Sequence, residues 1–105
     1  MQAQNFLQME LPLNIQKIDP LKQMEKAIQD MLDLIWKGVI LHISVRATKA
    51  LMIQHGTLIA FSNEEACIKV RSLPIFNLAI QKLPDIEAAF KKAFGYSIKV
   101  NLVVG

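Results

Sequence analysis

The sequence predicts an α+β domain, and two observations carry this prediction. Between residues 57 and 103 the period of the apolar residues changes from two to 3.6 and back to two, which indicates a hairpin, a helical segment and a final strand. Before that region, apolar residues recur at helical spacing from Leu21 to Ile43. We therefore expect two N-terminal helices, a β-hairpin, a kinked or split helix and a last strand, with all helices on one face of a three-stranded sheet.

The composition indicates one domain with few reactive groups. A chain of 105 residues is long enough to bury a core without disulfides, and its single cysteine, Cys67, has no intrachain partner. Its apolar residues, 52% of the total, are dispersed, and no run approaches the roughly 20 residues of a membrane span. Because the first residues also lack the basic start of a signal peptide, we expect a cytoplasmic protein with no membrane contact.

The first predicted helix begins at Asp19 and Pro20, since Asp caps helix N-termini and Pro suits the first helical position. It is predicted to end near Ile43. Its apolar stripe recurs at alternating steps of three and four residues: Leu21, Met24, Ile28, Met31 and Ile35. Core packing is the favoured interpretation of the stripe. The alternative is self-association, because the spacing resembles a coiled-coil seam, although it extends over only about two heptads.

The N-terminal arm, residues 1–18, is predicted to be the end of a linker or a loosely docked segment. Its apolar residues alternate as in a strand, but Pro12 argues against a central position in a sheet. The domain itself is assigned to residues 19–105.

A short second helix is expected between Ser44, its predicted N-cap, and Gly56. The hairpin strands, residues 57–62 and 66–71, then flank a polar turn. In the first strand we place Leu58 on the outward face of the sheet, and in the second we place Lys69 and Arg71 there.

The segment after Ser72 has helical spacing up to Phe94, and Pro84 is expected to bend it or divide it into two helices. Gly95 is predicted to end it. In the last strand, residues 97–103, alternation places Val100 inward and Lys99 outward.

No residue pattern predicts catalysis, a metal ion or a cofactor. His42, His55 and Cys67 lack the spacing of a zinc site, and the isolated glycines form no phosphate-binding loop. We therefore expect a protein that is not an enzyme and has no small-molecule substrate.

The outward face of the sheet is the candidate binding surface. It combines apolar residues with positive charge through Leu58, Lys69, Arg71 and Lys99. An ordinary solvated face, a protein-docking face and a weak single-stranded nucleic-acid contact are all compatible with this mixture, and the net charge of +3 permits nucleic acid without requiring it.

Five segments, residues 36–41, 46–52, 66–72, 83–90 and 95–102, resemble the C-terminal domain of the gamma/tau subunit of bacterial DNA polymerase III. The resemblance implies a KH-like fold without the G-x-x-G loop, carried after a flexible linker of the clamp loader. It implies a non-enzymatic interaction domain that, in DNA replication, tethers the clamp loader to the polymerase catalytic subunit or another replisome protein.

Overall fold

The computed structural model describes residues 19–105, so the predicted N-terminal arm lies outside the described residues. The fold class is confirmed: a long helix, a second helix, a hairpin, two further helices and a final strand form the domain. In chain order the elements are α1 (Pro20–Ile40), α2 (Arg46–His55), β1 (Gly56–Phe61), β2 (Glu65–Val70), α3 (Leu73–Ile80), α4 (Leu83–Phe94) and β3 (Lys99–Val104).

Helix α1 begins where the sequence predicts. The backbone N–H of Leu21 donates to Oδ1 of Asp19 at 3.0 Å, and Pro20 occupies the first helical position. The helix ends at Ile40, before the predicted end at Ile43. Ile43 instead lies in the turn that follows and is buried in the core.

The predicted cap of α2 is wrong. The N-cap is Val45, which has no side chain that could accept a bond from the helix. The hydroxyl of Ser44 accepts a hydrogen bond from Nζ of Lys92 at 3.0 Å and so links this turn to α4. The predicted cap is thus one residue too early, and its hydroxyl bonds a residue distant in sequence.

Gly56 joins α2 directly to β1 in a crowded position. A β-carbon there would lie 3.1 Å from the carbonyl oxygen of Met52 and 3.3 Å from Cζ2 of Trp36. The Trp36 indole N–H also donates to the carbonyl oxygen of Gly56 at 3.1 Å. A side chain at position 56 would therefore require the Met52 carbonyl or the Trp36 ring to shift by a few tenths of an ångström.

A β-bulge changes the faces of β1. The antiparallel register of β1 and β2 pairs Leu58 with Ile68 and Ala60 with Cys67, leaving Ile59 as the extra residue. The bulge shifts the alternation by one, so Leu58 and Phe61 both point inward, and Leu58 is fully buried. The prediction that Leu58 lies on the outward face is wrong for this reason.

Pro84 divides the third helical segment into two helices, one of the two predicted outcomes. Helix α3 ends at Ile80, and α4 restarts with Pro84 in its first turn, where the missing N–H costs no helical bond. Gly95 ends α4 with a φ of 85°, a left-handed conformation that favours glycine.

The sheet has the order β1-β2-β3, with β2 antiparallel to β1 and parallel to β3. The helices cover one of its faces. Residues Ile98 and Val100 of the last segment are buried there, as the alternation predicts. An aromatic group joins α1, β1 and α4 beneath the helices, with ring-centroid separations of 4.9 to 6.4 Å: Trp36, Phe61, Phe90 and Phe94.

Candidate protein-docking surfaces

The uncovered side of the sheet, which we call the sheet face, holds most of the predicted binding residues. Lys69 and Lys99 are exposed on it, and Arg71 is exposed immediately after β2. Glu65 lies in register with Lys99, and its Oε1 accepts a hydrogen bond from Nδ2 of Asn101 at 2.8 Å. The surface is therefore mixed in charge.

No aromatic side chain of the three described strands lies on the sheet face. Phe61 points inward and packs against Phe94, with ring centroids 4.9 Å apart. Proteins that bind single-stranded nucleic acids combine a positively charged groove with aromatic side chains on which bases stack. The arrangement of the strands therefore supplies cations for phosphate contact but no platform for bases.

The first half of α1 exposes most of its predicted apolar stripe. Four members, which we call the helix stripe, are 54% to 64% exposed: Leu21, Met24, Ile28 and Met31. The interpretation of these four residues as core is wrong. Only Ile35, the fifth, packs against the core.

The helix stripe is exposed because α1 is longer than the body that it covers. The first side-chain hydrogen bond from α1 to the sheet is made by Gln29, whose Nε2 donates to the carbonyl oxygen of Leu58 at 3.1 Å. The buried residues of the helix, Leu32, Trp36 and Val39, all follow Gln29. Covering the four exposed side chains would contribute about 1–2 kcal/mol each.

A groove, which we call the Trp36 groove, lies between the second half of α1, α2 and the start of β1. It encloses about 490 Å³ and is lined by Trp36, Ile40, Leu41, Ile53 and Gly56, with Asp33 and Lys37 completing the lining. Leu41 is 75% exposed and Ile53 is 60% exposed. An apolar centre with charged residues around it is the usual anatomy of a protein-docking site.

Sequence reasoning missed the Trp36 groove. Leu41 follows the last turn of α1, and Ile53 is a residue of α2 for which the sequence predicts no role. Both are apolar residues that no predicted core face uses. These two unassigned apolar residues were the only feature of the sequence that could have indicated the groove. The groove itself forms where two helices separated by a turn meet, which the sequence pattern does not show.

The three residues considered for chemistry do not form a site. His42 is exposed, and Cys67 is half-buried in β2. His55 ends α2 with a buried Nδ1 that has no hydrogen-bond partner among residues 19–105. Residues 19–105 contain no group of three or more His, Cys, Asp and Glu side chains that could hold a metal ion. No helix in the same range is long and apolar enough to cross a membrane.

Comparison with known proteins identifies the family. A family model described as the STICHEL, DnaA_N-like alpha-beta domain matches residues 23–104, which includes every strand and all but the first turn of α1. STICHEL is a plant clamp-loader-related protein. No curated protein and no solved structure gives a significant match. The chain therefore belongs to the family of DnaA_N-like alpha-beta domains described for STICHEL.

Proposed function

We propose that this domain is a non-enzymatic protein-interaction module that tethers a clamp-loader-related protein to the replication machinery. The catalytic subunit of the replicative polymerase is the proposed partner. The family supports the proposal, because it is described for a clamp-loader-related protein. The choice of partner rests on the sequence resemblance of five segments to the gamma/tau C-terminal domain. The observation that carries the docking role is the Trp36 groove.

The floor of the Trp36 groove is preorganised. The Trp36 ring is fixed by its hydrogen bond to the carbonyl oxygen of Gly56, at 3.1 Å, and stacks on Phe90 with centroids 6.0 Å apart. A partner that inserts an apolar side chain here would not have to order this ring first. Preorganisation of this kind raises affinity because less conformational entropy is lost on binding.

The exposed residues beside the groove supply the apolar contact area. Leu41 and Ile53 each leave more than half of their surface in water, at 75% and 60%. Asp33 and Lys37 place one charge of each sign next to them. Such a surround gives a partner its orientation, while the apolar centre gives most of the affinity.

Binding of the full chain to the purified polymerase catalytic subunit, measured by biolayer interferometry, tests the proposal. The double variant Leu41→Glu with Ile53→Glu places two charges on the apolar contact, and we expect affinity to fall by about 30-fold or more. Both positions are exposed, so the fold should be retained. Absence of binding by the unaltered chain would refute the polymerase as the partner.

Two control variants identify the surface that is used. Leu73→Glu with Leu78→Glu adds the same charges at positions of α3 that are 60% and 51% exposed, and it should bind normally. Lys69→Glu with Arg71→Glu tests the sheet face. A loss confined to this second pair would reject the groove and assign docking to the sheet face instead.

A further inference from the structure

The helix stripe is a second exposed apolar surface, separate from the Trp36 groove, and its residues have the spacing of a coiled-coil seam. Its members, Leu21, Met24, Ile28 and Met31, follow steps of three, four and three residues, the spacing of alternating a and d positions in a coiled coil. All four are more than half exposed. An apolar seam of this kind is normally covered by another helix.

Three of the charged residues of the same helix half lie away from the seam, and the fourth, Glu25, lies on its flank, about 80° from its centre by helical geometry. Helical geometry of 100° per residue places Lys22, Lys26 and Asp30 on the opposite side of α1 from the helix stripe. Lys26 and Asp30 also bond to each other there, Nζ to Oδ2, at 3.0 Å. A second helix can therefore approach the stripe without burying these three charged groups, and Glu25 borders the contact.

We infer that the helix stripe pairs with the same stripe of a second copy of this chain, in an antiparallel helix pair. The stripe is symmetric about position 26, since Leu21 and Met31 lie five residues from it and Met24 and Ile28 lie two residues from it. An antiparallel pair centred there sets Leu21 against Met31 of the second copy and Met24 against Ile28 of the second copy. Each a position then meets a d position, as antiparallel coiled coils require.

The antiparallel direction is also favoured by electrostatics and by the position of the sheet. Two antiparallel helices oppose their dipoles, whereas parallel helices align them. Because the body of the domain begins at Gln29, near the C-terminal end of the stripe, antiparallel pairing places the two bodies at opposite ends. The pair can close without contact between the sheets.

The dimer should be weak. The stripe extends over 11 residues of helix, from 21 to 31, which is about 15 Å, and a seam of two heptads is shorter than a stable coiled coil needs. We therefore expect a dissociation constant on the order of 10–100 µM, typical of a small interface.

This inference goes beyond the proposed function and uses a different side of α1. By helical geometry, Trp36, Ile40 and Lys37 of the groove lie about 100° to 160° from the centre of the stripe. Two copies paired through their stripes would both leave the Trp36 groove open. Failure of self-association and failure of polymerase binding are therefore separate results.

Sedimentation velocity of the full chain from about 5 µM to about 500 µM tests the pairing. We expect the weight-average mass to rise from 11.8 kDa toward twice that value. The variant Met24→Glu with Ile28→Glu should stay monomeric throughout. A mass for the unaltered chain that does not change with concentration would overturn the inference.

The matched control adds the same two charges at exposed apolar positions off the stripe. Leu34→Glu with Leu78→Glu, at positions 69% and 51% exposed, should dimerise like the unaltered chain. Equal loss of dimer in both double variants would reject the stripe as the interface. Circular dichroism of each variant confirms that it is folded.

Disulfide trapping tests the direction of the pair in a Cys67→Ala background. A mixture of Met24→Cys and Ile28→Cys chains should form mixed cross-links several times faster than either chain cross-links alone. Faster cross-linking within each single variant would indicate a parallel pair and overturn the antiparallel arrangement.

Discussion

The two halves of α1 have similar apolar spacing but different surroundings. In the first half, Met24 and Ile28 are 60% and 54% exposed, whereas in the second half Trp36 and Val39 are 6% and 0% exposed. The difference shows that helical periodicity identifies a face that favours burial without identifying what buries it. Contacts from distant segments decide whether that face becomes core or remains open to a partner.

Gln29 marks the boundary between the halves. Its Nε2 donates to Oδ1 of Asp33 at 2.9 Å and to the carbonyl oxygen of Leu58 at 3.1 Å, so it links the helix to the exposed edge of β1. Beyond it, Trp36 makes a second contact to the same edge through Gly56. The second half of α1 is thus fixed by two polar contacts as well as by packing.

Of the substitutions that compare the two halves of α1, replacement of Trp36 should cause the largest loss of unfolding free energy. Trp36→Ala removes a buried ring that stacks on Phe90 and a hydrogen bond to Gly56, so we expect unfolding free energy to fall by about 3–5 kcal/mol. Urea denaturation followed by circular dichroism measures the change. Trp36→Phe, which keeps an aromatic ring but loses the N–H donor, should cost less. A loss below about 1 kcal/mol for Trp36→Ala would contradict the role of this residue as an anchor.

Two adjacent residues provide the most direct comparison. Leu32 is 9% exposed and Met31 is 62% exposed. We expect Leu32→Ala to lower the free energy of unfolding by about 2–4 kcal/mol, because it leaves a cavity, and Met31→Ala to change it by less than about 0.5 kcal/mol. Thermal unfolding at a concentration where the chain is monomeric gives both values. Equal effects would mean that the first half of α1 is also packed against the body.

Substitution of Gly38 should have the smallest effect on stability. It separates the contribution of helix propensity from that of packing. It lies inside α1, and a β-carbon added there would have no neighbour within 4 Å. Gly38→Ala should therefore stabilise the chain by about 0.5–1 kcal/mol, through helix propensity alone. Denaturant titration beside the unaltered chain measures the gain. Destabilisation would show that this side of the second half has a neighbour that the described contacts do not include.

Several features that short-range rules control were predicted correctly from the residues. Asp19 and Pro20 begin α1, Pro84 separates α3 from α4, and Gly95 ends α4 in the left-handed conformation. Val100 lies inward in β3, as simple alternation requires. Each of these features depends on groups only a few positions apart, so the amino-acid pattern contains the necessary information.

Of the predicted binding residues, Lys69, Arg71 and Lys99 are exposed as expected, and their binding role stays a prediction. Leu58 differs because its orientation depends on the register between two strands, and the bulge at Ile59 reverses it. Ser44 differs because α2 begins one residue later than predicted, which makes Val45 the N-cap.

The environment of the helix stripe and the existence of the Trp36 groove depend on long-range packing. The amino-acid pattern establishes that α1 is amphipathic, since the spacing of its apolar residues is a local property. How far the sheet extends beneath that helix is set by contacts such as those of Gln29 with Leu58 and Trp36 with Gly56. Those contacts join residues 29 and 20 positions apart, and folding alone brings them together.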